Sequence, residues 1–343
     1  MTVRKMSLCV VLLLMIVPSF AGAQEARNGS AAASYLLIPQ GVQYLSGGGA
    51  AANVNGIESI FWNPAGLVRT EKSINAMFSR RNYIADININ FAGASIDWEG
   101  FGTLALTLRS FDIGAIPVTT VFFPDGTGEL YEPNVFVVGA TYSRMLTDRT
   151  SIGVNVNILS ESFPGASASG TAFDVGMQYT SFLNVPNLSI GVVLKNFGAS
   201  MRYGGSRLFR QAVAVDVDRK STFYKVEAAE FDLPSVIDLA TNYRVELGEA
   251  NSLDVGVTFQ NNQSAQDEFR FIANYNLGDL LSVRASFLRS EDEGDLENIF
   301  ASFAIGGTLN LQALTGVDLS IDYGYIDTEF FDANQVFSLR FGF

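Results

Sequence analysis

The stretch GGGAAANVNGIESIFWNPAGL, residues 47–67, decides the fold that we expect for this chain. Its three consecutive glycines permit backbone angles and close approaches that side chains would prevent. A large apolar group at residues 60–62 is stopped at once by Asn63 and Pro64. The proline removes a backbone donor and biases the residue before it toward an extended conformation. Because a segment this apolar and this broken suits neither a continuous helix nor a regular strand, we predict that it folds inward as a plug inside a container built by the remaining chain.

The first 23 residues have the pattern of a secretory leader. Arg4 and Lys5 form a positive start, and residues 8–17 form an apolar run that is too short to span a bilayer as a permanent helix. The small residues at positions 21–23 fit the rule for signal cleavage. We therefore expect cleavage after Ala23 and a mature chain that begins at Gln24.

The mature chain contains no histidine and no cysteine, because the only cysteine, Cys9, lies in the leader. Disulfides, zinc sites built from Cys and His, histidine general bases and Ser-His-Asp triads are thereby excluded. No carboxylate spacing points to a catalytic pair, so we predict a protein that is not an enzyme and that carries no cofactor. Loss of Arg4 and Lys5 with the leader changes the formal charge from −13 to −15, since the leader holds no acidic residue. A chain this acidic repels polyanions, so we expect no nucleic-acid partner.

One acidic run, between Glu291 and Glu297, has the carboxylate oxygens that Ca²⁺ prefers as ligands. The alternative interpretation is an ordinary solvated loop. We favour the loop, and the sequence predicts no metal site.

From residue 72 to residue 343 the chain alternates apolar and polar side chains at period two, which is typical of β-strands. Ile87, Ile89 and Phe91, for example, alternate with polar or small residues. About fourteen such segments occur, and most have the ~9–11 residues that a tilted strand needs to cross a bilayer. Bacterial single-chain barrels require an even number of strands. The segments start near Lys72, Asp86, Phe101, Pro133, Thr150, Ser169, Pro186, Leu233, Asn251, Ala265, Asp279, Glu297, Leu314 and Ala333.

The connections between these segments fall into two classes. Residues 146–149, 183–185, 248–250 and 276–278 are short turns, whereas residues 112–132, 200–232 and 290–296 are long and polar or irregular. Short turns at one end and long loops at the other are typical of outer-membrane barrels. The sequence therefore predicts an all-β protein, a transmembrane antiparallel β-barrel of about 14 strands with the N-terminal plug inside.

Period two alone does not separate a soluble sandwich from a membrane barrel, because either protein alternates apolar and polar faces. The leader and the uniform strand length favour the membrane. The chain also ends in an alternating strand whose apolar face closes on an aromatic residue, which resembles the insertion signal read by the outer-membrane barrel assembly machinery. We therefore expect an outer-membrane protein that contacts lipid and this machinery. The residues assigned to the insertion signal are Phe337, Leu339, Phe341 and Phe343.

The expected inner face carries charges of both signs. The interpretation that we favour is that they pair across a wet interior and hold the wall together, and the alternative is a lining that selects ions. A lumen of mixed sign is not strongly selective, which favours pairing. These residues are Asp97, Arg109, Asp174, Lys195, Asp238, Arg244, Asp254, Arg270, Arg284, Asp318, Asp322 and Arg340.

A plug segment followed by such a barrel resembles the PorV/PorQ family, which are outer-membrane proteins of type IX secretion within the wider superfamily of FadL-like transporters. The resemblance covers the layout of the whole mature chain, but its specific part is the plug motif together with residues 233–234 and the terminal Phe343. Gln43 stands where the family often has arginine, which weakens the assignment to one subfamily. The resemblance identifies Asn63-Pro64-Ala65 with the NPA motif of the N-terminal hatch. The hatch motif assigned here comprises Gly47, Gly48, Gly49, Phe61, Trp62, Asn63, Pro64, Ala65 and Gly66.

The sequence thus divides into a leader at residues 1–23, a hatch at 24–71 and a barrel at 72–343, and the resemblance implies one of two functions. A PorV-like protein receives secreted proteins that carry a sorting domain, whereas a FadL-like protein passes hydrophobic small molecules such as fatty acids or hydrocarbons. Wide apolar loop tips would support docking of a protein, and an apolar inner cluster facing the plug would support transport. Loop aromatics favour docking as the first hypothesis, and the alternative interpretation is an aromatic belt at the membrane interface. These residues are Phe122, Phe123, Tyr131, Phe223 and Tyr224.

Overall fold

The computed structural model describes residues 31–45, 47–70, 72–212, 221–290, 300–328 and 331–343. The leader expected at residues 1–23 and the acidic run at residues 291–297 lie outside the described residues. In the part of the chain that the structure describes, no helix has the length and apolar character needed to cross a membrane.

The described residues form a closed barrel of fourteen antiparallel strands, in which each strand pairs with its neighbours along the chain. The first and last strands pair from Asn75 opposite Gly342 to Asn82 opposite Gln335, which closes the barrel. The expectation of an all-β barrel of about 14 strands is confirmed. The strands are β1 Ile74–Asn82, β2 Asn88–Trp98, β3 Gly102–Asp112, β4 Asn134–Met145, β5 Thr150–Phe163, β6 Ala166–Thr180, β7 Leu188–Gly198, β8 Val236–Leu247, β9 Asn251–Asn262, β10 Glu268–Leu277, β11 Leu281–Ser290, β12 Phe300–Asn310, β13 Leu319–Thr328 and β14 Asn334–Gly342.

The two faces of the wall have the polarity of a membrane barrel. In β5, Ile158 points outward and is 58% exposed, whereas its neighbour Asn157 points inward and is 5% exposed. A soluble sandwich would bury the isoleucine and expose the asparagine. The outer surface is therefore an apolar band, and the interior is largely polar.

The alternation reverses in the first half of β2. Ile89 and Phe91 are buried on the inner face, and Asn88 and Asn90 lie on the outer face. The expectation that the apolar side of this segment faces lipid is wrong. The reason is packing, because Ile89 joins a cluster of apolar side chains inside the barrel.

Some strands begin a few residues away from the expected positions for local chemical reasons. β13 begins at Leu319 rather than near Leu314, because Gln312–Thr315 forms a single helical turn. The Asn310 carboxamide accepts a hydrogen bond from the Gln312 N–H at 2.9 Å and starts that turn. β8 begins at Val236, two residues beyond Pro234, which has no N–H to contribute to a ladder.

The barrel has a turn end and a loop end. The turn end carries residues 99–101, 146–149, 181–187, 248–250, 278–280 and 311–318, together with the C-terminus. The loop end carries the long connections 113–133 and 199–235, but it also carries the short connections 83–87, 164–165 and 263–267. The expectation of long loops throughout this end is therefore only partly met. Two short hairpins project from the long connections, Ile116–Pro117 with Leu130–Tyr131 and Phe209–Ala212 with Thr222–Lys225.

One irregularity in the wall turns two side chains inward. The register between β6 and β7 shifts between Phe173 and Val175. Asn196 takes a left-handed conformation there with φ of 58°, and its N–H donates to the Asp174 carboxylate at 2.7 Å. Lys195 and Asn196 are consecutive and both buried.

The N-terminal segment lies inside the barrel as a series of single turns. These turns are Ser34–Leu37, α1 Ala50–Asn53, α2 Ser59–Trp62 and Pro64–Gly66. α1 packs against β7 and β8, and Pro64–Gly66 packs against β4, β5 and β6. We call residues 31–45 and 47–70 the plug.

Candidate functional site

Four glycines of the wall form a seat for the plug. A Cβ added to Gly153 would overlap the backbone of Pro64, and one added to Gly191 would overlap the carbonyl oxygen of Ala51. Because these glycines carry no side chain, the plug backbone lies directly against the wall at Gly153, Gly191 and Gly256, and the Asn63 side chain does so at Gly176. We call the four residues the glycine seat: Gly153 in β5, Gly176 in β6, Gly191 in β7 and Gly256 in β9.

The three glycines predicted from the sequence also lie where the plug is closely packed. A Cβ on Gly48 would overlap the backbone of β10, and Gly49 lies against Gly256 of the seat. Gly47 leaves room for the ring of Trp62 and has φ of +83°. The Thr258 hydroxyl accepts a hydrogen bond from the Gly49 N–H at 2.9 Å and donates to the Gly47 carbonyl at 2.8 Å.

Asn63 ties two turns of the plug to the wall. Its side-chain amide donates to the Ala51 carbonyl at 2.6 Å and to the Met177 carbonyl of β6 at 3.1 Å. Its side-chain oxygen accepts from the Ala65 N–H at 3.0 Å, and the residue is fully buried. Gly66 completes the turn where a Cβ would overlap the Val54 carbonyl. The segment named from the sequence is thus the part of the plug that contacts the wall, and its role in gating stays a prediction.

The apolar residues Ile60, Phe61 and Trp62 do not share one environment. Trp62 is almost fully buried within the plug against Ala50 and Val54. Ile60 packs in a separate apolar cluster with Phe91 of β2. Packing against the plug and the wall therefore accounts for these two residues, and only Phe61 remains half-buried beside open space.

Phe61 lies between two cations. The Lys195 ammonium is 5.4 Å from the centre of its ring and the Arg109 guanidinium is 5.7 Å from it, within the range of cation–π attraction. The space beside the ring is about 20 Å³, which holds about one water molecule. Polar groups of Asn155 and Asp174 also line it. A hydrocarbon therefore does not fit at this level while the plug is in place.

Between these polar groups around Phe61 and the loop end, the interior of the barrel becomes apolar. The plug residue Leu36 is buried among wall residues of β2 to β6, and Tyr35 stacks at 4.8 Å from Phe111. We call this region the apolar chamber. The wall residues that form it are Ile89, Phe111, Val135, Val137, Leu159, Ala168 and Ala172.

Period-two reasoning missed the chamber, because it assigns inward positions to polar residues. A signal is present in β4, where residues 135–138 read VFVV and are apolar at consecutive positions. Such a run has no polar face, which indicates a strand that is covered by apolar groups on both sides.

Below the plug, at the turn end, lies a polar cavity of about 340 Å³ between the plug and β12, β13, β14 and β1. Glu58 of the plug lines this cavity and is 3% exposed. The pKa of Glu58 is raised to about 7, chiefly by burial and also by the Asp322 carboxylate, while Arg340 and Arg284 oppose the rise. Sequence reasoning did not identify Glu58, since one acidic residue in a loop carries no pattern.

Several charges of the inner face form ion pairs, as the favoured interpretation expected, whereas Arg109 and Arg284 each keep buried guanidinium nitrogens without a hydrogen-bond partner among the described residues. Lys195 contacts Asp238 at 2.7 Å, and both are buried. Arg340 contacts Asp322 at 2.8 Å, and other pairs join Arg244 to Asp254 and Lys72 to Asp318. Asp97 accepts a hydrogen bond from the Thr103 hydroxyl at 2.8 Å instead.

The four residues assigned to the insertion signal lie on the outer face of β14 and the C-terminus, as that assignment expects. Phe337 and Phe343 are exposed on the outer face, and Leu339 and Phe341 lie partly exposed on the same face. The backbone of Phe343 exchanges two hydrogen bonds with Ile74, at 2.9 and 3.1 Å, so the last residue closes the barrel. Recognition by the assembly machinery stays a prediction.

No protein-family model matches the chain, and no curated protein matches it by sequence. Solved structures do match it in fold. A Pseudomonas aeruginosa FadL homologue aligns with a TM-score of 0.55 at 12% identity, over 88% of this chain and 98% of that one. The chain therefore shares the barrel fold of this structure.

Two further structures have the same fold. The Ralstonia pickettii toluene transporter TbuX aligns with a TM-score of 0.55 at 11% identity, over 89% of this chain and 98% of its own. The Pseudomonas putida toluene transporter TodX aligns with a TM-score of 0.50 at 11% identity, over 86% and 96%. Identities this low establish a shared architecture and nothing finer, so PorV/PorQ membership is not shown.

Proposed function

We propose that this chain is an outer-membrane channel for hydrophobic small molecules and that its plug closes the channel at rest. The observation that carries the proposal is the apolar chamber, which has more buried apolar residues than any other cluster between the plug and the wall among the described residues. From the sequence, we expected a transporter to have an apolar cluster facing the plug and a docking protein to have apolar loop tips instead. Leu36 occupies the chamber as an apolar ligand would.

The geometry supports a gated route rather than an open pore. The plug fills the chamber, and the space beside Phe61 admits only about one water molecule. A ligand in the chamber would have to displace residues 33–38 of the plug, and a ligand that passes further would have to move the plug from the ring of Phe61. The paired charges of the wall do not form a field of one sign, so an ion-selective pore is less well supported.

The similar structures support the same proposal. Two of them are toluene transporters. They are transporters or channels rather than enzymes, which is compatible with a non-enzymatic role. None of them is a secretion protein, so type IX secretion, the first hypothesis from the sequence, has no support among them.

One observation keeps protein docking as a second candidate. Val121 and Phe122, at the tip of the 113–133 loop, are 94% and 87% exposed, and Phe223 is 69% exposed on the second projecting hairpin. Exposed apolar loop tips of this kind mark interaction surfaces. Capture of a secreted protein by these loops, without any uptake of apolar molecules, would favour this function over transport.

The test is uptake across an outer membrane. The protein is expressed in a Gram-negative host that lacks its own long-chain fatty-acid transporter, and uptake of radiolabelled oleate and toluene is measured. We expect uptake of at least one probe above the level of the empty host. The matched control is Ala172→Lys, which places a charge in the chamber and should abolish the gain while leaving the heat-modifiable band of a folded barrel. Uptake equal to the empty host for both probes would contradict the proposal.

A further inference from the structure

The apolar chamber is covered at the loop end by part of the connection between β7 and β8. Its described residues are 199–212 and 221–235, and we call residues 200–208 and 226–233 the strap. Met201 of the strap is 2% exposed, and its side chain lies in the space above Gly170 of β6, where a Cβ would be 2.7 Å from the Met201 Cγ. Leu233 is equally buried in the chamber cluster. The strap thus supplies the upper surface of the chamber.

The strap holds together as a unit. Met201 and Arg202 pair with Glu230 and Phe231 as a short antiparallel ladder. The guanidinium of Arg202 also contacts the carboxylates of Glu227 and Glu230. These ion pairs lie within the strap and are exposed, so they add little to its attachment to the wall.

The strap is attached to the wall mainly at the β5–β6 hairpin. Ser167 of β6 and Gly204 exchange two backbone hydrogen bonds of 2.8 Å, and the Arg207 N–H donates to the Gly165 carbonyl at 2.9 Å. The hydroxyl of Tyr203 donates to the buried carboxylate of Glu161. Neighbouring wall strands pair over as many as fourteen residues, as β5 and β6 do. Segments held by so few bonds open locally at a much lower free energy than the barrel unfolds.

The strap also contacts the plug. The Ala32 N–H donates to the Asp232 carbonyl at 2.9 Å, beside the plug residues that fill the chamber. Release of the strap therefore removes a bond that holds the start of the plug in place.

We propose that the strap is a hinged cover, which must swing away from the β5–β6 hairpin before an apolar ligand reaches the chamber. The inference rests on the proposed function, because it assigns the admission step of that transport to particular residues. Met201 and Leu233 move with the cover, and the plug residues near Ala32 become free to leave the chamber.

The double variant Ser167→Cys with Gly204→Cys tests the cover directly. Residues that exchange both backbone bonds lie about 5.5 Å apart at Cα, within the range that a disulfide spans. A Cβ on Gly204 meets no atom within 4 Å, and Ser167 is exposed, so both changes fit the closed state and remain accessible to a reductant. With the leader removed, the chain has no other cysteine to compete.

The measurement is the initial rate of radiolabelled oleate and toluene uptake, before and after dithiothreitol. We expect the oxidised variant to take up the probes at least ~tenfold more slowly than the reduced one, since binding that needs an opening step has no route when the opening is blocked. The matched control is Ala212→Cys with Thr222→Cys, a pair within the projecting hairpin that joins no part of the wall. Its rate should not change on oxidation.

The outcomes separate the cover from the channel. Equal rates in the oxidised and reduced Ser167→Cys/Gly204→Cys variant, with normal uptake by the unaltered chain, would overturn the cover and leave the channel standing. Failure of the unaltered chain to take up either probe would overturn the channel, and the cover with it. A second variant, Met201→Ala, loosens the closed state without any crosslink and should raise the uptake rate by about threefold. A rate that falls or stays the same in this variant would contradict the cover independently.

Discussion

The two sides of the plug meet the wall in different ways. Toward β5 to β9, backbone lies against backbone at three of the four seat glycines, and Asn63 and Thr258 add buried hydrogen bonds. Toward β12 to β14 and β1, Val42 and Leu45 pack against apolar wall residues, but below them the plug borders the 340 Å³ polar cavity. Glu58 lines that cavity, and its buried carboxylate lies against Gly41 and the backbone of Gln43.

This difference indicates which side of the plug is held firmly by the wall and which side moves more easily. Steric fit between backbones is lost entirely when either surface shifts, because close-packed surfaces do not deform continuously. A buried carboxylate beside a polar cavity costs free energy that a small movement toward water would recover. We therefore expect the plug to remain seated on β5 to β9 while its opposite side moves first.

The largest effect should come from filling the glycine seat. Gly176→Ala combined with Gly191→Ala places two methyl groups where Asn63 and the Ala51 carbonyl lie, and overpacking should weaken plug seating by ~4 kcal/mol in total. The measurement is hydrogen exchange of the plug amides by mass spectrometry. The matched control is Gly204→Ala with Gly307→Ala, where the added Cβ atoms meet open space or ordinary contact. Equal exchange in the two double variants would show that the seat does not hold the plug.

The next effect is the pH dependence on the opposite side. The pKa of Glu58 is about 7 in the folded protein against an ordinary value of 4.5, so the folded state binds this proton more tightly than the unfolded state. The stabilisation from the protonated form is complete below pH 4.5 and is lost as the pH rises through 7. Glu58→Gln should therefore match the unaltered chain at pH 4 and seat the plug more firmly at pH 8, by at most ~3 kcal/mol.

Exchange of the plug amides across this pH range measures the effect. A variant that shows the same change between pH 4 and pH 8 as the unaltered chain would remove Glu58 as the cause. The groups that face it include Asp322, Arg340, Arg284 and Arg81 of the wall and Tyr44 of the plug, and these remain in place in the variant.

Asn63→Ala should have a smaller effect on the seated side. The change leaves the Ala51 and Met177 carbonyls without their donor in a buried place, which costs ~2 kcal/mol of plug seating. Asn88→Ala removes an amide that makes an exposed bond and serves as the control. If the plug amides exchange as slowly in Asn63→Ala as in the control, Asn63 does not attach the plug to the wall.

The strands were predictable from the sequence because lipid imposes one rule on the whole outer surface. Leu106 and Leu108 of β3 are exposed to the outside as that rule requires, and the same alternation located all fourteen strands. The rule fails at Ile89 and Phe91, where apolar side chains meet the plug. Their direction depends on what fills the lumen, and a periodicity within one strand carries no information about that.

The candidate site was predictable only where its local sequence is unusual. Three glycines in a row and an Asn-Pro step indicate a close contact at Gly48 and Asn63, and the structure places both residues against the wall. Gly191 and Glu58 lie in sequence that has no such unusual local pattern. The role of each depends on a residue that is distant in sequence, Ala51 for Gly191 and Asp322 for Glu58. Neither role can be predicted until the position of the plug against the wall is known.

The smallest effect should come from Thr258→Val on the seated side. The change keeps the shape of the side chain but removes the hydroxyl that bonds to the Gly49 N–H and the Gly47 carbonyl, which costs ~1 kcal/mol of plug seating. Thr241→Val is the matched control, because its hydroxyl bonds to the Ser189 carbonyl of the neighbouring strand and not to the plug. Amide exchange should rise around residues 47–49 in the first variant alone. Equal exchange there in both variants would mean that backbone shape, without these hydrogen bonds, is sufficient to hold the plug against β9.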